Sequence, residues 1–202
     1  EEKLDITIAT KNGMIKRTPL KEFKSLRYSK PINCMKLKDN DEVIDAFITR
    51  YNDIFIGTNK SYGLWYDISE IPIVGLRTSG VKSINLKDDY VVGVSNFDRT
   101  KDEYISIITD KGTGKRIKIS DLEKTSRAKR GLLILREVKT NPYRIVKTLV
   151  TNSRDFIGIK TSDIKIIKAS ELPIMDRYST GSTIIKGNVI DAFMNVTLTK
   201  KK

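Results

Sequence analysis

Apolar and polar residues alternate with period two from Asp5 to Thr10, pause at Lys11-Asn12-Gly13, and resume at Met14-Ile15. That period predicts a half-buried β-strand, and Asn-Gly between two such runs predicts a tight hairpin. The same two-strand unit is predicted over residues 54–66, 104–119 and 156–167. Further β-branched stretches complete a unit, for example 81–86 with 90–94 and 132–138 with 145–150. Helix signals are weak throughout, with a turn or two predicted over 120–129.

These units repeat. The small residue of the hairpin turn falls at Gly13, Ser61, Gly112 and Ser162, at spacings of 48, 51 and 50. Nine residues later each block has an acid: Glu22, Glu70, Asp121 and Glu171. Ten residues later each has an apolar residue: Phe23, Ile71, Leu122 and Leu172. Arginines follow at 27, 77, 127 and 177, then glycines at 80, 131 and 181, with Lys30 in the first block's place. The string Val43-Ile44-Asp45-Ala46-Phe47 returns as Val189-Ile190-Asp191-Ala192-Phe193. Short strands in a unit of about 50 residues predict an all-β, propeller-like fold of four-stranded blades. The four repeats run approximately over 1–50, 51–100, 101–150 and 151–202, within a single domain.

Charge changes the picture from fold to partner. The 202 residues carry 38 Lys and Arg against 25 Asp and Glu, a net charge of +13, which points to a polyanion. The excess is uneven: +3, −1, +7 and +4 in the successive blocks. There is no histidine and one cysteine, Cys34, so Ser-His and Cys-His arrangements, an intramolecular disulfide and a thiolate zinc site are all excluded. Cys34 is expected to be a small buried apolar residue. Gly112-Thr113-Gly114-Lys115 lacks the spacing of a phosphate-binding loop and falls on a hairpin turn. The acids of 39–42 and 88–89 sit in turn-like stretches, and nothing assembles a catalytic constellation. No run of 18 apolar residues is present, and no cofactor or metal is expected. The chain starts with Glu1-Glu2-Lys3 and is expected to be part of a longer protein.

Lys16-Arg17, Lys115-Arg116 and Lys165 occupy one repeat-equivalent position just past the hairpin turn, where the second block has Leu64-Trp65. Cations repeated in this way predict a ladder along successive blades, suited to the phosphates of a curved duplex. The full set of candidate phosphate contacts is Lys16, Arg17, Arg27, Lys30, Arg77, Lys82, Lys115, Arg116, Lys118, Arg127, Lys129, Arg130, Arg144, Lys165 and Arg177. Within it Lys115, Arg116, Arg127, Lys129 and Arg130, from the most basic block, are expected to grip hardest. No recognition helix, zinc-finger spacing or base-stacking motif is present, and Trp65 and Tyr66 are expected in the core.

Ile8-Ala9-Thr10-Lys11-Asn12-Gly13-Met14-Ile15-Lys16-Arg17 resembles a blade motif of the C-terminal domain found in the A subunits of bacterial type IIA topoisomerases. Gly75-Leu76-Arg77-Thr78-Ser79-Gly80-Val81-Lys82-Ser83-Ile84-Asn85-Leu86 is similar to the topoisomerase IV branch more than to gyrase. So are Lys129-Arg130-Gly131-Leu132-Leu133 and Asn141-Pro142-Tyr143-Arg144-Ile145-Val146. The resemblance implies a β-pinwheel of five or six blades that binds and bends duplex DNA on a basic outer rim. It further implies a bacterial, cytoplasmic, nucleoid-associated parent enzyme that pairs with the ATPase B subunit of topoisomerase IV. The catalytic tyrosine, ATP and Mg2+ of that enzyme would lie outside this segment, so none of the eight tyrosines is assigned that role. The gyrase-specific basic glycine-rich box is absent, but the equivalent gyrase domain remains the alternative, and a propeller used as a protein scaffold is a second.

Overall fold

A computed structural model describes residues 3–24 and 29–194. Hairpins form where the turn chemistry placed them. The first joins β1 (Asp5–Thr10) to β2 (Met14–Pro19), and β3 (Val43–Ile48) follows. The second joins β4 (Asp53–Thr58) to β5 (Tyr62–Asp67), followed by β6 (Val81–Lys82) and β7 (Val91–Phe97). The third joins β8 (Tyr104–Thr109) to β9 (Thr113–Lys118), followed by β10 (Leu132–Leu133) and β11 (Ile145–Thr151). The fourth joins β12 (Phe156–Lys160) to β13 (Ile164–Lys168), followed by β14 (Ser182–Thr183) and β15 (Asp191–Met194). A single 3-10 turn ends each hairpin, at Leu20–Phe23, Ile68–Glu70, Ile119–Asp121 and Ala169–Glu171. The helical turn predicted over 120–129 is thus confined to residues 119–121, and no α-helix occurs among the described residues.

The strands form four antiparallel sheets arranged like propeller blades: β3-β1-β2-β6, β7-β4-β5-β10, β11-β8-β9-β14 and β15-β12-β13. Three blades have four strands, and the fourth has three among the described residues. A blade is not a sequence repeat. The outermost strand of each complete blade comes from the following repeat: Ile15 pairs with Val81, Gly63 with Leu132, and Gly114 with Ser182. Each repeat therefore clasps the one before it. The segments 72–74 and 173–175 run beside β2 and β9 before the donated strands begin, with Arg17 N donating to Pro72 O (3.2 Å) and Arg116 N to Pro173 O (2.8 Å).

The core lies between blades rather than within one. Ile15, Ile54, Ile56, Tyr66 and Ile84 fill the first gap, and Phe55, Trp65, Ile105, Ile117 and Ile134 the second. Ile108, Ile157, Ile159 and Leu172 fill the third. A blade covered on both faces buries both sets of alternating side chains, and β4 is buried at all six positions. Trp65 and Tyr66 are core residues, as expected, whereas Cys34 is only half-buried.

Glycine enters where a donated strand begins. Gly80, Gly131 and Gly181 have φ of +76°, +85° and +84°, which L side chains rarely adopt. A Cβ on Gly131 would stand 2.3 Å from Gly63 O of the receiving strand. Gly131→Ala is expected to destabilise the domain by about 2–4 kcal/mol, from left-handed strain plus the clash. Urea unfolding measures this, and a loss within ~0.5 kcal/mol would show that the clasp is not a tight junction.

Candidate nucleic-acid interface

The two lysines expected at the head of the cationic ladder are buried. Lys16 Nζ donates to the carbonyls of Gly75 (2.9 Å) and Leu76 (2.8 Å) in the clasping segment of the second repeat. Lys115 Nζ does the same to Asp176 O and Ser179 O, both at 2.8 Å, in the fourth. Burial disfavours the charged ammonium and lowers both pKa values, that of Lys115 to about 8. These side chains are latches between repeats. The correction has a simple cause: the clasping segment of a following repeat crosses this strand position and turns its carbonyls onto the ammonium, so the polar phase of the alternation meets main chain instead of water.

Their neighbours are also engaged. Arg17 forms a bidentate pair with Asp5 through Nε (3.0 Å) and Nη2 (2.7 Å). Arg116 is buried, donates to Leu172 O (2.8 Å) and Ser170 O (3.3 Å), and lies 4.5 Å from the centroid of the Tyr104 ring. Of the expected ladder only Lys165 is exposed, because among the described residues no clasping segment covers β13. The second repeat, with Leu64 at the latch position, uses a different device. Lys124 bridges Asp53 (2.7 Å) and Asp67 (2.8 Å), and its hydrogen bond holds the Asp67 carboxyl down to about 2.

The arginines of period 50 divide. Arg77 is exposed, and Arg27 lies outside the described residues. Arg127 donates to Glu70 O (2.9 Å) and Lys82 O (2.6 Å), and Arg177 to Leu133 O (2.9 Å), both tying a clasp to the preceding repeat. Arg130 donates to Asn85 O (3.2 Å) and Leu86 O, and Arg144 to Tyr143 O (3.3 Å). Among the five cations expected to grip hardest, only Lys129 is fully exposed.

The exposed members of the candidate set are Lys30, Arg77, Lys82, Lys118, Lys129 and Lys165. Lys36, Lys87, Arg136 and Lys186 join them, and no spacing argument had found these. Most of these residues lie on segments that flank the donated strands, at the outer edges of the blades. Backbone bonds stitch those segments together: Lys36 N to Thr78 O (3.0 Å), Asn85 N to Lys129 O (2.9 Å) and Arg136 N to Ser179 O (3.2 Å). Cations on successive edges are thus held at fixed separations by main chain. The sequence signal for Lys36, Lys87, Arg136 and Lys186 was their own spacing of 51, 49 and 50, and Arg77, Lys82 and Lys129 sit close to the repeat glycines Gly80 and Gly131.

The buried latch has a pH signature. Lys115 titrates near 8 in the fold but near 10.4 in an unfolded chain, so between those values the unfolded state binds more protons. The pH-linked part of the stability therefore rises across that window and is lowest below pH 8, where the buried ammonium bears its full desolvation cost. Relative to Lys115→Met, the wild-type chain should gain on the order of 2–3 kcal/mol between pH 7.5 and 10.5 in urea unfolding. A constant difference between the two proteins would remove the latch from consideration as a desolvated ammonium.

Known proteins place this geometry. The sequence pattern described as "DNA gyrase C-terminal domain, beta-propeller" matches residues 5–50, 52–98, 103–152 and 164–189. The A subunit of DNA topoisomerase 4 from Bacillus subtilis (strain 168) is 43% identical over 176 residues, 86% of this chain and 22% of that protein. A crystal structure of the C-terminal domain of DNA topoisomerase IV superposes with a TM-score of 0.91 at 42% identity, covering 96% of this chain and 62% of that one. A DNA gyrase A C-terminal domain shares the fold, with a TM-score of 0.85 at 19% identity over 97% of this chain and 67% of that one. The chain thus spans about a fifth of the Bacillus protein it matches. With repeats, clasped blades and sequence in agreement, the chain belongs to the family of C-terminal domains carried by the A subunits of bacterial topoisomerase IV and gyrase.

Proposed function

We propose that this domain binds duplex DNA through its phosphate backbone along the outer edges of its blades and bends it. In this reading it performs no chemistry, and it presents the duplex for ATP-dependent strand passage by a topoisomerase IV whose B subunit supplies the ATPase. The observation that supports it best is the series of exposed cations Lys36, Arg77, Lys82, Lys129 and Arg136 on edge segments linked by main-chain bonds. Phosphate contacts position a duplex without reading sequence, and they release counterions. Curving 20–30 base pairs by 40–90° costs on the order of 1–6 kcal/mol, which added contacts along an arc of blades can offset.

The test is a labelled duplex titrated with the domain at several salt concentrations, with end-to-end distance read by energy transfer. Six to ten phosphate contacts would lower affinity by about 10³–10⁵ between 50 and 200 mM salt, and the ends should approach on binding. Weak binding that ignores salt would favour a protein scaffold. Binding without approach of the ends would retain the DNA partner and reject bending.

A further inference from the structure

A concave site lies where the second repeat meets the third. Lys60, Tyr62, Arg130, Glu137, Tyr143 and Arg144 line a cavity of about 130 Å³, several times the ~10–15 Å³ that one water needs. The fold builds it firmly. Asn59, beside Lys60, accepts from Ile145 N (2.9 Å) and donates its side-chain amide to Ile145 O (3.1 Å), which fixes the Lys60 turn next to Arg144. Lys60 N donates to Asp89 Oδ1 (2.9 Å). The Arg130 guanidinium lies 3.9 Å from the centroid of the Tyr62 ring, and Tyr62 is itself in the strand that receives β10.

The charge around this cavity is unbalanced. Among the described residues, no carboxylate comes within ion-pair distance of Lys60, Arg130 or Arg144. Arg17 and Lys147, also half-buried, each meet one, and Lys124 meets two. Arg130 and Arg144 bond main-chain carbonyls through Nη1 alone, and both residues line the cavity. Two guanidinium forks, one ammonium and two phenols make a donor-rich lining whose one carboxylate is the exposed Glu137, while Asp89 and Asp110 accept from the main-chain N–H of Lys60 and Arg144 nearby. Guanidinium pairs match the oxygen spacing of phosphate, and tyrosine hydroxyls add neutral donors.

We infer that this cavity is a binding site for a phosphate group, with Lys60 and Arg144 as its principal ligands and Glu137 setting its affinity by repulsion. The group is a tetrahedral phosphate carried either by the backbone of bound duplex or by a small free phosphate compound. The inference does not require the proposed duplex path along the blade edges.

Calorimetric titration of the whole chain with inorganic phosphate, at constant ionic strength in chloride, tests it. Saturable binding is expected, weakened roughly tenfold for each lost charged donor in Lys60→Gln and Arg144→Gln, and tightened in Glu137→Gln. Lys60 and Glu137 are exposed and their side chains support no part of the fold, so these two variants stay informative even where Arg144→Gln fails to fold. Equal phosphate binding by wild type, Lys60→Gln and Glu137→Gln, or none by the wild type, overturns the site. The source follows from a labelled duplex. If the backbone supplies the phosphate, Lys60→Gln also weakens duplex binding and free phosphate competes at fixed ionic strength. If a small compound supplies it, duplex binding is unchanged while phosphate binding is lost. Removing the edge cations Lys82, Lys129 and Arg136 leaves phosphate binding intact, so loss of the duplex reading and loss of this site are separable.

Discussion

Replacing Lys82, Lys129 and Arg136 together with glutamine is expected to lower duplex affinity roughly 10²-fold at low salt, with no change in the unfolding midpoint. All three side chains are exposed, so each loses solvated contacts to phosphate and nothing in the core. Charge-assisted bonds of this kind contribute on the order of 1–2 kcal/mol, and three of them give the stated loss if they act independently. The plot of log affinity against log salt should flatten by about 0.9 for each contact removed. Matched removal of Lys3, Lys101 and Arg154, exposed cations away from the donated strands, should change affinity by much less. An equal loss from that control triplet would mean that net charge, rather than the blade edge, attracts the duplex.

The opposite pattern is expected at the latch. Lys115→Met should destabilise the domain by about 2–4 kcal/mol near neutral pH, because the carbonyls of Asp176 and Ser179 lose their shared donor. Against this stands the relief of a desolvated ammonium, which the shift of Lys115 to about 8 registers, and which keeps the loss below that for breaking a buried ion pair. Duplex affinity of the folded variant, measured well below its melting temperature, should keep its salt slope. A flatter slope with unchanged stability would return Lys115 to the phosphate-binding set. Together the two experiments separate cations that hold repeats to one another from cations that face a partner, a distinction that net charge of +13 conceals.

The repeat pattern carried much of the architecture. Equivalent residues such as Lys16, Leu64, Lys115 and Lys165 do lie at one strand position, opposite Ile8, Ile56, Ile107 and Ile159. Asn12-Gly13 and its counterparts do close hairpins, because the residues that tolerate positive φ are few and local. The candidate site was legible only in part. Lys82 and Lys129 were named from sequence and are exposed, whereas Lys16, Lys115 and Arg116 were named by the same argument and are buried. Lys36, Lys87, Arg136 and Lys186 also recur, at spacings of 51, 49 and 50, but that period was not among those that defined the candidate set.

By itself, then, the sequence determined what depends on neighbours in the chain: strand, turn, period, and a basic character that selects an anionic partner. Tertiary structure alone decided that each repeat lends its outermost strand to the repeat before it, since β6, β10 and β14 are two-residue strands whose pairing spans about 70 residues of chain. With that exchange the clasping segments cover strand positions of the first and third blades, whereas β13 of the fourth is left exposed. The physical consequence is that a polar position in the alternation no longer means exposure to water, and a lysine's role is set by whether a neighbouring repeat supplies carbonyls to its ammonium or leaves it to solvent.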